Sequence, residues 1–201
     1  MFDSRLRQWI DPPLNRMGHR LAAAGITADQ VTIAGFSVGM LAALAIANSL
    51  FWLGLLLLGA SRTADGLDGA VARATAKTDR GGFLDIVLDF FFYGAMPAAF
   101  AIANPAANAL AAAILLLSFY MNGAAFLAFA VFAAKRGIET DTQGEKSLYY
   151  LTGLAEGAET ILVFALFCLF PSVFAGLAYL FAAVCFVSAI TRVLIGWRTL
   201  G

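Results

Sequence analysis

Six long apolar stretches, separated by short polar breaks, dominate the sequence. We place them at about 29–48, 50–73, 81–103, 106–134, 147–170 and 172–198. A helix that crosses the hydrocarbon core of a bilayer needs about 20 apolar residues, and these stretches are long enough. The stretches are unbroken rather than alternating, which excludes the short strands of an outer-membrane barrel. The pattern predicts an all-α, polytopic membrane protein with six transmembrane helices in one domain, residues 1–201.

The first 24 residues follow a different pattern. Apolar residues recur there at helical spacing on both sides of Pro12 and Pro13, and basic residues occupy the opposite face together with His19. A helix of this kind lies in the headgroup plane, with its apolar face against the acyl chains. We therefore predict an N-terminal interfacial amphipathic helix over residues 1–24 that contacts membrane lipids.

The composition and the charge distribution indicate how the chain lies in a membrane. The sequence is 61% hydrophobic and 13% charged, with no net charge, so nothing indicates a nucleic-acid partner. A soluble domain is about 45–50% apolar and about 25% charged. The breaks at 48–49, 104–105 and 171–172 carry no charge, whereas lysines and arginines occupy the alternate ends of the spans. The positive-inside rule makes that face cytoplasmic. We predict a cell (inner) membrane protein whose termini and active site face the cytoplasm.

Four aspartates interrupt the apolar pattern on two neighbouring predicted helices. Asp65 and Asp68 are three residues apart near the end of the second span. Asp85 and Asp89 are four residues apart near the start of the third span. Both spacings put two side chains on one face of a helix. Two antiparallel neighbours can therefore direct four carboxylates into one pocket near the cytoplasmic surface.

Two interpretations of the aspartates compete, a salt-bridge cluster and a metal site. Arg62 and Arg73 are the available cationic partners, and two arginines leave half of the carboxylate charge uncompensated. Uncompensated charge inside a membrane costs several kcal/mol. A divalent cation would remove the deficit, and carboxylate ligands favour Mg²⁺ or Mn²⁺ over Zn²⁺.

The residues around the aspartates suit a phosphate ligand. Glycines flank the aspartates and permit close approach of a ligand to the backbone; they are Gly66, Gly69, Gly81 and Gly82. The last two begin a helix, where free amides suit phosphate. Arg73 offers a planar fork for phosphate oxygens. The pattern indicates a pyrophosphate site, and its place at the bilayer interface favours a lipid substrate.

The same residues resemble the signature of the CDP-alcohol phosphatidyltransferase family. The matching pattern is Asp65-x-x-Asp68-Gly69-x-x-Ala72-Arg73, seven residues, then Gly81-x-x-x-Asp85-x-x-x-Asp89. The gap leaves both Gly81 and Gly82 as candidates for the motif glycine. The six-helix layout and the amphipathic N-terminus are also similar to the family. The stretch GITADQVT (25–32) is similar to the family's Thr-Pro-Asn start of the first span, from which Ala28 and Asp29 depart.

The resemblance implies a reaction. A CDP-linked lipid, usually CDP-diacylglycerol, gives its phosphatidyl group to an alcohol acceptor in phospholipid biosynthesis, and CMP is released. It also implies two divalent cations, Mg²⁺ or Mn²⁺. Asp65, Asp68 and Asp85 would hold one ion, and Asp65, Asp85 and Asp89 the second. Asp89 is also the family's candidate general base.

The resemblance further implies a CDP-lipid site and an assembly. The implied CDP-lipid residues are Asp68, Gly69, Ala72, Arg73, Gly81 and Gly82. A homodimer is suggested as well, and the fourth span, which is rich in alanine and contains Gly123, is small enough in section for close helix contact. Packing of that span within one protomer is the alternative.

The fifth and sixth spans carry candidates for an acceptor pocket. Glu156 and Glu159 are three residues apart, in the same half of the membrane as the aspartates, and Lys146 and Arg192 belong to that half too. We predict that the glutamates accept hydrogen bonds from the alcohol, and that the basic groups hold a phosphate if the acceptor carries one. The alternative is a structural pairing of the glutamates with Arg192 or Arg62.

The competing function is an intramembrane transporter that relays cations or protons through the aspartates. Such a path needs acidic groups through the whole depth of the membrane. The charged residues of this chain occupy one half of that depth, which favours the enzyme. The sequence leaves open the identity of the alcohol and the choice between Mg²⁺ and Mn²⁺.

Overall fold

The computed structural model describes residues 2–137 and 157–201, with side chains from residue 11 onward in those ranges. The described residues form α-helices and no strand, so the all-α prediction is confirmed for them. The helices are α1 (Phe2–Ala23), α2 (Ala28–Ala47), α3 (Phe51–Ala74), α4 (Asp79–Ala103), α5 (Pro105–Lys135), α6 (Gly157–Leu169) and α7 (Phe174–Leu200). A 3-10 turn at Pro171–Val173 leads into α7.

Four segments of the described chain are long and apolar enough to cross a membrane, namely α2, α4, α5 and Pro171–Leu200. The helix α3 has 24 residues, but its second half carries charged side chains. The described part of α6 has 13 residues, and the predicted fifth span (147–170) begins outside the described residues. The helical, multi-pass character of the prediction agrees with the structure, and the count of six spans stays a prediction.

The N-terminal helix α1 continues through both prolines. It runs over 22 residues with Pro12 and Pro13 inside it. The apolar patterns before and after the two prolines therefore belong to one helix. Its position at a membrane surface stays a prediction.

The starts of three helices are defined by side-chain caps. Thr27 and Gln30 form a capping box at α2, in which the Gln30 amide donates to the Thr27 hydroxyl at 3.3 Å and the Thr27 amide to Gln30 Oε1 at 3.0 Å. Thr78 caps α4 by accepting from the Gly81 amide at 3.0 Å. Asn104 caps α5, whose first residue is Pro105. These caps satisfy helix-end amides and define where α2 and α4 begin.

Glycines permit the helices that surround the aspartates to approach closely. The helix α2 packs against α3 and α4, and α1 packs along α3. A Cβ atom at Gly35 would lie 2.9 Å from Ala64 Cβ, and one at Gly18 would lie 2.7 Å from Ala70 Cβ. Both distances are shorter than side chains tolerate, so larger residues would push α1 and α2 away from α3.

A core rich in aromatic side chains begins about one turn after Asp89 along α4. Along α4 the buried side chains after Asp89 are Phe92, Met96 and Phe100. Phe100 stacks on Phe174 with the ring centroids 4.7 Å apart. Close packing of such rings supplies dispersion energy where lipid offers no hydrophobic gain from burial. The polar site therefore lies at one end of the bundle, with an apolar core behind it.

Candidate metal and phosphate site

Three of the four aspartates converge between the second half of α3 and the first half of α4. One carboxylate oxygen from each of Asp65, Asp68 and Asp85 lies within 4.8 Å of the other two. Ligand oxygens of a bound Mg²⁺ lie about 2.0–2.1 Å from the ion, so small side-chain movements would bring all three oxygens onto one cation. The donor set consists of hard carboxylate oxygens, which fits Mg²⁺ or Mn²⁺.

Asp68 is the most enclosed of the three and is held from the neighbouring helix. Its side chain is buried, and the Thr32 hydroxyl of α2 donates to Asp68 Oδ2 at 2.7 Å. A hydrogen bond to a buried carboxylate is short and strong because the acceptor is charged. Thr32 therefore fixes the direction of one carboxylate and leaves its other oxygen for a cation.

Asp89 does not belong to the three-carboxylate cluster and contacts Arg62 instead. Arg62 Nη1 lies 3.0 Å from Asp89 Oδ1 and 3.3 Å from Asp65 Oδ1. The same nitrogen therefore bridges α3 and α4. From the sequence, Arg62 is predicted only as a possible partner in a salt-bridge cluster, whereas in the structure it lines the site.

The Arg62 side chain is held on several sides. Its guanidinium carbon lies 3.8 Å from the centroid of the Phe92 ring, and its Nη2 donates to Ser61 Oγ at 3.2 Å. Ser61 in turn donates to the Gly35 carbonyl at 2.8 Å. A cation over an aromatic face is favourable, more so when it is shielded from water. The guanidinium thus forms the inner wall of the aspartate site.

A small cleft opens between α2, α3 and α4 beside these groups. Its lining combines the carboxylates with apolar and small residues of all three helices: Thr32, Gly35, Phe36, Arg62, Asp65, Asp85, Leu88 and Asp89.

Arg73 lies outside the aspartate cluster and is oriented by α1. Its Nη2 and Nε donate to Asn15 Oδ1 at 2.8 and 3.3 Å. A Cβ atom at Gly69 would lie 3.3 Å from Arg73 Nη1, so the absent side chain leaves room for the guanidinium. Arg73 is exposed and is not paired with any aspartate in the described residues. The salt-bridge interpretation therefore retains a single arginine, Arg62, against the four carboxylates.

The two candidate motif glycines differ in their surroundings. A Cβ atom at Gly81 would lie 3.0 Å from both Asp29 Oδ1 and Thr78 Oγ1, whereas one at Gly82 would meet nothing within 4 Å. The Gly81 amide donates to the Thr78 hydroxyl and the Gly82 amide to the Thr78 carbonyl. These two amides, expected to be free for phosphate, are therefore engaged in starting α4. A side chain at position 81 would crowd the Asp29 and Thr78 side chains, whereas position 82 has open space around it.

The predicted acceptor residues are described in part. Glu156 and Lys146 lie outside the described residues. Glu159 lies in the first turn of α6, and its Oε2 atom is buried without a hydrogen-bond partner in the described chain. Arg192 lies on α7, with its guanidinium carbon 5.6 Å from the Phe126 ring centroid. Among the described residues, Arg62 forms ion pairs with Asp65 and Asp89 and none with Glu159.

Two residues of the site were missed by sequence reasoning. Thr32 belongs to the stretch that is similar to the family's start of the first span, and its position in the second turn of α2, after the Thr27 cap, was the available signal. Asn15 is a small polar residue among the basic residues of α1, and nothing in the local pattern distinguishes it.

Fold and site together define a helical membrane bundle with a carboxylate cluster suited to a divalent cation at one end. The sequence model of the CDP-alcohol phosphatidyltransferase family matches residues 25–194, and the chain belongs to this family. Membership establishes phosphatidyl transfer in phospholipid synthesis as the class of reaction.

Relatives and a solved structure agree with this assignment. The chain is 46% identical over 200 residues to inner membrane protein YnjF of Escherichia coli K12, which covers 100% of this chain and 97% of the relative. It is 41% identical over 87 residues to an archaetidylinositol phosphate synthase of Pyrococcus horikoshii. That alignment covers 43% of this chain and 46% of that enzyme.

The fold is similar to that of Mycobacterium tuberculosis phosphatidylinositol phosphate synthase (PgsA1), whose crystal structure has CDP-DAG bound. The TM-score is 0.67 with 19% identity, over 92% of this chain and 93% of that chain. At this identity the likeness establishes the fold.

Proposed function

We propose that this protein transfers the phosphatidyl group of a CDP-linked lipid, CDP-diacylglycerol, to an alcohol and releases CMP. The observation that carries the proposal is the convergence of Asp65, Asp68 and Asp85 at the open end of a helical membrane bundle. A phosphoryl group that carries several negative charges needs cationic partners, and this cluster is built to hold one. The family supplies the class of reaction.

The donor site would combine the carboxylate cluster with Arg73. Arg73 is exposed, and its fork is held by Asn15 in one orientation. A pre-oriented guanidinium loses little freedom when it binds phosphate oxygens. The similar Mycobacterium enzyme was solved with CDP-DAG bound, which supports a CDP-lipid as the donor for this fold.

The cluster fits the divalent cations that the family resemblance implies. Asp65, Asp68 and Asp85 would hold one Mg²⁺ or Mn²⁺ ion, and Asp65, Asp85 and Asp89 a second. Bound cations of this kind stabilise the negative charge on the attacking and leaving oxygens of a phosphoryl transfer.

The protein's own groups would then direct the alcohol. The alcohol oxygen attacks the phosphorus that carries the diacylglycerol, and CMP leaves with the bridging oxygen. Asp89 is the proposed base that accepts the hydroxyl proton. In the structure its carboxylate lines the cleft and is held by Arg62 at 3.0 Å.

The acceptor is proposed to be a small hydroxyl compound that enters near α6 and α7. Glu159 supports this because a buried carboxylate oxygen without a partner in the described chain is suited to accept a hydrogen bond from a ligand. Lys146, Glu156 and Arg192 are the further candidates. If the acceptor carries a phosphate, the positive charge would come from Lys135, Arg136, Lys146 and Arg192.

We further propose six transmembrane spans, an interfacial α1, and an active site that faces the cytoplasm from the inner membrane. The support is the placement of lysines and arginines at alternate ends of the spans. The name of the Escherichia coli relative, an inner membrane protein, is consistent with the location.

A homodimer is also proposed from the family resemblance. At Gly123 the alternative of packing within one protomer is supported, because a Cβ atom there would overlap the Phe90 ring of the same chain. Other parts of α5 present exposed apolar side chains, among them Leu117 and Tyr120, that lipid or a second copy can cover.

One experiment tests the proposed function. Purified protein in detergent is given CDP-diacylglycerol, Mn²⁺ and a panel of alcohols, and CMP release is measured for each alcohol. We expect release that depends on one class of alcohol and is lost in Asp68→Asn. CMP release at an equal rate without any alcohol would indicate hydrolysis and contradict transfer.

A further inference from the structure

A single nitrogen of Arg62 bridges two carboxylates that the second cation would need. Arg62 Nη1 lies 3.3 Å from Asp65 Oδ1 and 3.0 Å from Asp89 Oδ1. The proposed function assigns Asp65 and Asp89, with Asp85, to a second divalent ion, and this inference depends on that assignment. Arg62 Nη1 therefore contacts oxygens of two carboxylates that would hold that ion.

The position of Arg62 is defined by more than its aspartate contacts. The side chain is 13% exposed, its guanidinium packs on Phe92 at 3.8 Å, and its Nη2 contacts Ser61 Oγ. These contacts come from its own helix and from α4, behind the carboxylates. Arg62 is therefore held between Asp65 and Asp89 by packing as well as by charge.

The charges at the site indicate when a second ion is favourable. With one divalent ion bound, the four carboxylates and Arg62 leave a single net negative charge. A second ion alone would make the site positive, beside a shielded guanidinium. A bound pyrophosphate diester brings two negative charges and returns the site to a single net negative charge. Arg62 therefore disfavours a second ion until the donor is present.

We propose that Arg62 is a positioning residue that occupies the second cation's place in the resting protein and makes cation binding sequential. The first ion binds at Asp65, Asp68 and Asp85. The second binds at Asp89 when the CDP-lipid arrives and the donor's charge offsets that of Arg62. In this scheme Arg62 also keeps the carboxylate of Asp89 oriented before the alcohol binds.

The test counts Mn²⁺ ions by electron paramagnetic resonance on the full chain in detergent. Wild-type protein is titrated with MnCl₂ alone and again with CDP-diacylglycerol. We expect one tightly bound Mn²⁺ without lipid, and two with lipid that give the signal of a spin-coupled pair. In Arg62→Gln the second ion should bind without lipid about tenfold or more tightly than in the wild type, because a neighbouring positive charge has been removed.

Two further variants distinguish the effect of the Arg62 charge from the effect of any arginine substitution on the structure. Arg62→Lys keeps the positive charge and should again hold one ion without lipid. Arg80→Gln removes an arginine whose ion pair with Asp29, at 3.1 Å, lies on the exposed start of α4, and it should titrate like the wild type. Size-exclusion profiles and circular dichroism check that each variant is folded.

The wild-type titration decides the matter even if Arg62→Gln does not fold. Two ions of equal affinity in the wild type without lipid would overturn the proposal, and so would an Arg62→Gln titration identical to the wild type. The experiments distinguish a failure of the Arg62 proposal from a failure of the proposed function. Sequential binding without CMP release for any alcohol would contradict the function, whereas CMP release with two equivalent ions would contradict only the role of Arg62.

Discussion

The hydrogen bond from Thr32 to Asp68 gives a sharp test of how the site is built. Thr32→Val keeps the shape of the side chain and removes the hydroxyl that donates to Asp68 Oδ2 at 2.7 Å. A hydrogen bond to a charged group contributes about 1.5–3 kcal/mol, and about 1.4 kcal/mol corresponds to a factor of ten in affinity. Loss of a residue that orients a metal ligand typically lowers metal affinity or activity about 10–100-fold. The two estimates agree, and we expect Mn²⁺ to bind Thr32→Val about 10–100-fold more weakly.

Two quantities are measured for the wild type and for Thr32→Val. They are the affinity for Mn²⁺, from electron paramagnetic resonance, and the rate of CMP release at saturating lipid. Thr32→Ser retains a hydroxyl and should stay close to the wild type. Thr63→Val is the matched control, because the Thr63 hydroxyl donates only to the Gly59 carbonyl of its own helix, at 2.8 Å, on an exposed face. Wild-type Mn²⁺ affinity in a folded Thr32→Val protein would refute the argument that Asp68 is a ligand oriented from α2.

Three further predictions concern the cations, the base and the acceptor. Chelation should abolish CMP release, and Mg²⁺ or Mn²⁺ but not Ca²⁺ should restore it, since Ca²⁺ prefers longer and less regular coordination; full activity in excess chelator would contradict this. Asp89→Asn should lower turnover roughly 100-fold or more while CDP-lipid binding persists, whereas Asp65→Asn should impair both, and wild-type turnover in Asp89→Asn would exclude it as the base. Glu159→Gln should raise the KM for the alcohol and leave the affinity for CDP-lipid unchanged; a folded variant with wild-type KM would make Glu159 structural.

The helices were predictable because their signals are local. Apolar runs long enough to span a bilayer mark α2, α4 and α5, and Asn104 with Pro105 marks the sharp turn between two of them. The spacing of Asp65 and Asp68 on α3 places both carboxylates on one helix face. The antiparallel neighbour α4 then brings Asp85 to the same depth, as the structure shows.

The parts of the site that escaped prediction depend on contacts between helices. Thr32 reaches Asp68 because Gly35 lets α2 approach α3, and no periodicity in α2 alone reveals that rotation. Arg62 and Asp65 are three residues apart on one helix, so their contact agrees with local spacing. The contacts of Arg62 with Asp89 and with the Phe92 ring instead join α3 to α4. Side-chain partners of this kind follow from tertiary packing rather than from spacing along the chain.

The fate of the donor's phosphorus tests the central claim most directly. CDP-diacylglycerol labelled with ³²P on the phosphorus that carries the diacylglycerol is incubated with the protein, Mn²⁺ and the alcohol that supports CMP release. We predict that all of the label appears in a new phospholipid whose mass equals the phosphatidyl group plus one alcohol less one hydrogen, in a one-to-one ratio with CMP. Label recovered as phosphatidate, or none released from the donor with any alcohol, would contradict phosphatidyl transfer by this protein.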